Sequence, residues 1–208
     1  MTLQETLAAH AVEADALTTD RLDAYCQVLW EWNSRINLTR HTNYESFVTR
    51  DLRDSRQLLR HLKSQESVLD IGSGGGVPGI VMAILQPGLR ISLCESTQKK
   101  AAALEAIVNH LKLQVPVLAQ RAEDIVRLRG FDTITARAVA PLTKLLTWFR
   151  PHRNHVKRLV LIKGPNWTAE RDTAEEAGLL RRTRIDILDS YGTTGHDGDS
   201  VILQIRFT

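Results

Sequence analysis

The stretch Val68-Leu-Asp-Ile-Gly-Ser-Gly-Gly-Gly-Val-Pro-Gly-Ile80 puts five glycines within eight residues, directly after an apolar run that ends in an acid. Lacking side chains, such a loop lets a ligand approach the backbone closely. Gly74-x-Gly76-x-x-Gly79 fits the dinucleotide fingerprint, with Glu95 at about the distance of the ribose-binding acid. Other details point elsewhere. Asp70 lies inside the strand end, giving D-x-G-x-G-x-G, whereas a dinucleotide-binding strand runs apolar into its first glycine. Val77 and Pro78 open the next helix, and proline withholds an N–H that a pyrophosphate would seek there. No Lys-Ser/Thr pair follows, which argues against a P-loop. S-adenosylmethionine (SAM) suits the loop better, because it has no pyrophosphate but carries a sulfonium, an amino group and a carboxylate. Asp70 can face the positive end, Gly72 and Gly74 can admit the methionine and ribose portions, and Glu95 can accept both ribose hydroxyls.

Other residues are candidates on position alone. Arg137 follows Phe131–Ala136, at the edge where such sheets bind ligands, and either serves the site or pairs with Asp132 or Glu123. Lys163 and Gly164 end another strand and face either RNA phosphate or an acidic neighbour. Trp30 and Trp32 could stack on a base, but their helical spacing beside Leu29 and Ile36 makes at least one of them core. Asn33 and Asn37 are placed to brace the N-terminal segment against the glycine loop. Net charge is +3 and the pI about 9.0, with cations crowded at Arg50, Arg53, Arg56, Arg60 and Lys63 and again at Arg150, Arg153, Lys157 and Arg158. Such runs are usually solvated faces; if a polyanion is bound, Arg53, Arg56 and Lys163 are the residues to meet it. His152-x-x-His155 has no further ligands in view, so no metal is expected. Cys26 and Cys94 lack metal-like or redox spacing and suit buried thiols in a reducing cytoplasm. No apolar run approaches a membrane span, and the acidic first residues do not read as a signal peptide.

The elements that must position these residues follow from periodicity. Residues 19–33 and 43–62 read as amphipathic helices, the first capped by Thr18 or Thr19. From Ser67 the strand-like runs 67–71, 90–95, 115–119, 131–135 and 158–162 are interspersed with helical runs 78–86, 98–112, 141–149 and 168–178, the pattern of βαβ units. Residues 183–190 and 200–207 are strand-like and joined by a turn-rich connector, YGTTGHDGDS, so they should pair as an antiparallel hairpin. The expected architecture is α/β: a Rossmann-like SAM-dependent methyltransferase fold whose seven-stranded, mostly parallel sheet ends in an antiparallel hairpin. Residues 1–64 form a helical N-terminal cap packed on the same domain, and residues 65–208 form the SAM-dependent methyltransferase domain.

Several segments together resemble the bacterial ribosomal RNA small subunit methyltransferase G family, also called glucose-inhibited division protein B. They are Trp32-Asn-Ser-Arg-Ile-Asn-Leu-Thr39, the glycine loop, Lys99-Lys100, Leu111-Lys-Leu113, Arg121-Ala-Glu-Asp124, Phe131-Asp-Thr-Ile-Thr-Ala-Arg-Ala-Val-Ala-Pro-Leu142 and Leu161-Ile-Lys-Gly164. The resemblance implies SAM-dependent methylation of guanine N7 in 16S ribosomal RNA, with free RNA or the 30S subunit as partner, and we take the acting form to be a monomer. By position it implies that Gly72 and Val77 contact SAM, that Ala122 and Glu123 hold the adenine, and that Arg137 lines the reaction pocket beside the cofactor. The chain departs from the family at Asp51-Leu-Arg-Asp-Ser55, where a His-Ile-Leu-Asp-Ser type run is usual. Guanine N7 carries a free lone pair and no proton, so the chemistry requires no general base. A nicotinamide-dependent oxidoreductase, a methyltransferase for another RNA, and an inactive RNA-binding relative are the alternatives.

Overall fold

The structure, a computed structural model, describes residues 1–192 and 198–208. Its centre is made by runs of apolar residues too short to be helices: β1 (Ser67–Ile71), β2 (Arg90–Cys94), β3 (Val117–Leu118), β4 (Phe131–Arg137) and β5 (Val156–Lys163). All five pair in parallel, and β1, β2, β4 and β5 are buried along most of their length, as strands covered on both faces must be. The sheet order is β3-β2-β1-β4-β5-β7-β6, where β6 is Thr183–Gly192 and β7 is Asp199–Phe207. The order reverses between β1 and β4, which opens a crevice at the carboxyl ends of those two strands. Register aligns Asp70 with Thr135 and Ile71 with Ala136, so the glycine loop after β1 and Arg137 at the end of β4 flank that crevice.

The expected hairpin forms, but β7 inserts between β5 and β6 and pairs antiparallel with both. Of the connector, Tyr191, Gly192, Asp199 and Ser200 belong to the strands, and residues 193–197 lie outside the described residues.

Helices α5 (Gly79–Leu85) and α6 (Gln98–His110) cover one face together with the N-terminal segment; α7 (Ala122–Leu128), α8 (Leu142–Phe149) and α9 (Trp167–Glu176) cover the other. The N-terminal segment comprises α1 (Leu3–Ala9), α2 (Ala16–Asn33), a short turn α3 (Tyr44–Ser46), a π-helical stretch Phe47–Leu52 and α4 (Arg53–Leu59). Leu3, Leu22, Leu29, Phe47 and Leu58 join Ile80, Met82 and Ile107 in one apolar cluster, so the cap shares the core of the sheet domain. Two sequence expectations change here. Asp15, not Thr18 or Thr19, caps α2, accepting the Thr18 amide at 2.7 Å. The expected helix over 43–62 is divided by the π stretch, which carries Asp51.

The basic run near residue 150 is not a continuous face. Arg158 is half-buried and donates to Glu66, Thr133 and Gln204 and to the carbonyl of His61, while Lys157 pairs with Asp132 at 2.6 Å. Both sit toward the amino end of β5, opposite Lys163 and the crevice. Burial opposes ionisation of Glu66, yet hydrogen bonds from Thr133, the Lys63 amide and Arg158 outweigh it and hold the carboxyl below its usual range. A depressed carboxyl stabilises the fold above its unfolded pKa of about 4.3, and that contribution is lost as pH falls through the folded value. Arg158→Leu strands the Glu66 carboxylate and should cost about 3–5 kcal/mol at neutral pH. The loss should shrink in acid, where the stranded Glu66 carboxyl of the variant takes up a proton; denaturant unfolding at neutral and acidic pH measures the difference.

Candidate active site

The glycine loop is built from backbone conformations that other residues rarely adopt. Gly72 (φ +58°), Gly74 (φ +56°) and Gly76 (φ +100°) are all left-handed or beyond. A Cβ on Gly72 would meet Val139 at 2.7 Å, and one on Gly76 would meet Ile80 at 2.6 Å, so both glycines are required by packing. Gly74 is different: its nearest neighbour would be the Gly72 carbonyl at 3.7 Å. The space above Gly74 therefore opens into a cavity of about 660 Å³, lined by Gly72–Gly75, Val77, Leu38, Asp54, Lys100, Arg137 and Lys163 among others. A side chain at Gly74 would fill space that a bound molecule can use, which fits the close backbone approach expected for SAM. A larger groove of about 910 Å³ lies between α1, α2, α4 and the end of α5, and none of the glycine-loop residues lines it.

Two side chains fix the loop. Glu95, at the end of β2, accepts the Gly74 amide through Oε2 at 3.2 Å and the Thr97 amide through Oε1 at 2.8 Å. Each carboxylate oxygen keeps further acceptor capacity, so a ribose diol can still be received. Tyr25, fully buried in α2, donates its hydroxyl to the Gly75 carbonyl at 2.9 Å. The cap thus reaches the loop, and Asn33 sets the approach by accepting the amides of Leu38 and Thr39. Leu38 packs against Gly75, as the brace expected from Asn33 requires, whereas Asn37 is exposed. Trp30 donates to the His41 carbonyl and packs on Tyr44, and both Trp30 and Trp32 rest against the core cluster.

Asp70 corrects an expectation. Its side chain is fully buried, accepts the Thr135 hydroxyl at 2.8 Å and lies beneath Gly79, where a Cβ would be 2.8 Å from Oδ2. Burial pushes its carboxyl up to about 6, against hydrogen bonds from Thr135 and Ser73. The reason is strand alternation: Asp70 points to the same face as Val68, the face that α5 covers. It holds the loop's foundation and does not face the cavity. Ala122 (buried) and Glu123 begin α7, Glu123 pairing with Arg121 at 3.5 Å; they lie beside Cys94, whose thiol is raised to about 12, first by burial and then by neighbouring carboxylates including Glu95 and Glu123.

Arg137 pairs with neither Asp132 nor Glu123. Its Nη1 donates to Asp51 Oδ1 at 2.7 Å and to Asp54 Oδ2 at 3.1 Å. Asp51 also meets His41 Nδ1 at 2.8 Å, and Asp54 accepts the Tyr191 hydroxyl at 2.8 Å. Sequence reading missed Asp54, His41 and Tyr191; the only local signal was the pair of acids one turn apart within an arginine-rich helix. Lys163 has the acidic neighbour: it is buried, pairs with Glu170 at 2.6 Å and donates to the Ala140 carbonyl, which engages two of its three donors. Arg53 lies over the Tyr191 ring at 5.7 Å, and exposed Arg56 donates to the Glu13 carbonyl at 3.4 Å, so both sit outside the cavity.

Gly74→Ala tests the cradle. The left-handed backbone costs an alanine about 1–2 kcal/mol, so the protein should stay folded while SAM affinity falls at least tenfold. Gly76→Ala should instead unfold more readily, because of the Ile80 clash. Calorimetric titration with SAM and thermal melts of both variants distinguish the outcomes; undiminished affinity in Gly74→Ala would put the cofactor elsewhere.

Similarity to known proteins agrees with this geometry. The family model described as rRNA small subunit methyltransferase G matches residues 18–190. The protein of that name from Rhodopirellula baltica is 46% identical over 170 residues, covering 82% of this chain and 74% of its own. Its namesake from Paracoccus denitrificans is 36% identical over 189 residues, covering 90% and 94%. An O-methyltransferase from Bacillus cereus, solved in complex with SAH, superposes with a TM-score of 0.64 over 98% of this chain and 96% of its own, at 15% identity, which speaks for the fold alone. A loop, an acid and an arginine at the crevice of this sheet, in a chain so matched along its length, identify it as a member of the rRNA small subunit methyltransferase G family.

Proposed function

We propose that this SAM-dependent methyltransferase methylates N7 of a guanine in 16S ribosomal RNA. The observation that carries the reading is the shared cavity, which has the open Gly74 cradle on one wall and Arg137 on another. SAM supplies an electrophilic methyl group on a sulfonium. The backbone of Gly72–Gly75 and Val77 holds the methionine and ribose portions, Glu95 accepts the ribose hydroxyls, and Ala122 and Glu123 take the adenine end. Arg137 faces the acceptor and donates to guanine O6, next to the reacting N7. Nothing need remove a proton, and burial pushes the thiols of Cys26 and Cys94 upward, away from the nucleophilic thiolate. The chain's task is alignment, which is worth up to about 7–11 kcal/mol.

For the RNA backbone we assign Arg40 and Lys100 at the cavity, with Arg53 and Arg56 as an outlying patch on α4. We take a monomer as the acting unit, and free RNA and the 30S subunit are both admissible substrates. Among the described residues no helix is long and apolar enough to cross a membrane.

Incubation with tritiated SAM and unmodified ribosomal RNA or 30S subunits, followed by mapping of the labelled nucleotide, tests the reading; label away from guanine N7 overturns it. In the same assay Arg137→Ala should lose about 2–4 kcal/mol of transition-state stabilisation, and Arg137→Lys less, because lysine keeps the charge without the planar fork. A second measurement concerns the RNA backbone: Arg40→Glu with Lys100→Glu should weaken RNA binding and flatten its dependence on salt by about one unit for each phosphate no longer neutralised. Unchanged slopes would return these cations to ordinary surface.

A further inference from the structure

Placing two carboxylates against one guanidinium in a protein interior is expensive, and apolar residues of similar size often serve stability as well. Asp51 is 1% exposed and Asp54 7% exposed, yet both are spent on a single nitrogen, Nη1 of Arg137. Asp54 is oriented through its other oxygen by the Tyr191 hydroxyl, and His41 Nδ1 shares Asp51 Oδ1 with the guanidinium. Among the described residues, Nε and Nη2 of Arg137 have no hydrogen-bond partner, and the side chain lines the cavity. A guanidinium is planar, so fixing one nitrogen from two directions fixes the plane in which the remaining donors lie.

That restraint has a chemical use. Guanine presents O6 and N7 side by side, and an arginine free to choose takes both. A bidentate grip of that kind would occupy the N7 lone pair, which is the nucleophile. An arginine that assists methyl transfer must reach O6 and leave N7 uncovered. We propose that Asp51 and Asp54 are positioning residues: by holding Nη1 back they set the angle of Arg137 so that its free donors meet the O6 side of the acceptor base and leave N7 open. The inference rests on the reading of Arg137 as the acceptor-facing residue. Asp54 and His41 also line the cavity, but in this scheme Asp51, Asp54, His41 and Tyr191 act through Arg137 and are given no contact with the reacting atoms.

Full-length Asp51→Asn, Asp54→Asn and Tyr191→Phe are compared with wild type in three ways: SAM affinity by calorimetry without RNA, single-turnover methyl transfer to unmodified ribosomal RNA at saturating SAM, and proton–nitrogen NMR of the Arg137 guanidinium in the free protein. Asparagine preserves the shape and one acceptor oxygen but removes the charge that immobilises Nη1. Hindered rotation should give wild-type Arg137 distinct Nη signals that merge in the asparagine variants. The rate of transfer should fall about tenfold to a hundredfold. SAM affinity should stay within about threefold of wild type, since the interaction removed acts only in the transition state. Tyr191→Phe deletes only a hydroxyl and should show a smaller loss in the same direction, which keeps the test decisive if an asparagine variant does not fold. Wild-type rates in variants with merged signals would overturn the proposal, as would a loss of SAM affinity equal to the loss of rate. A wild-type protein that labels no guanine N7 would instead defeat the reading of the site, while the NMR comparison would still judge whether the two carboxylates hold Arg137.

Discussion

A loop made largely of glycine has few side chains with which to hold itself, Ser73 on the Asp70 carbonyl being one, so most of its shape has to be imposed from outside. Three parts of the chain do this. Glu95, from the end of β2, takes the amide of Gly74; Tyr25, from α2, donates to the carbonyl of Gly75; Val139, just beyond β4, fills the space beneath Gly72. Asp70 and Thr135 tie the two strands below. Each restraint comes from a segment distant in sequence, so the loop acquires its conformation only when the sheet and the cap have both packed. The helical segment before β1 therefore helps to set the shape of the glycine loop.

The electrostatics of the cavity follow from what is already neutralised. Arg137 is held by Asp51 and Asp54, and Lys163 by Glu170 and the Ala140 carbonyl. Internal pairs consume the buried cations. The positive character left to Arg40 and Lys100 at the cavity suits a polyanionic partner better than it suits a small anionic substrate.

Much of this architecture was legible in the sequence because parallel strands covered on both faces must be short and mostly apolar, as Ser67–Ile71 and Arg90–Cys94 are with Asp70 and Ser92 as their buried polar exceptions. The glycine positions were legible for a similar reason, since only glycine readily adopts their backbone angles. The short helices α1 and α7 were not, being too brief for a 3.6-residue period to show, whereas α5, equally short, was marked by its unbroken apolar run. The direction of Asp70 was recoverable in principle from its alternation with Leu69 and Ile71, but only once it was known that α5 lies on the Val68 face. The partners of Arg137 stand 86 and 83 residues away, and no local pattern announces a pairing at that range. Arg158 misled for the opposite reason, because its neighbours in sequence are surface cations while its own side chain is inside.

The junction at Arg137 joins three pieces that fold from separate stretches of chain: the cap through Asp51 and Asp54, the parallel sheet through β4, and the antiparallel hairpin through Tyr191. Local openings of a protein normally spare some functions while abolishing others, because sub-global units come apart at different free energies. Here an opening of any one piece removes a support of the same arginine, directly for the cap and the sheet and through Asp54 for the hairpin. The setting of that one side chain therefore registers the packing of all three.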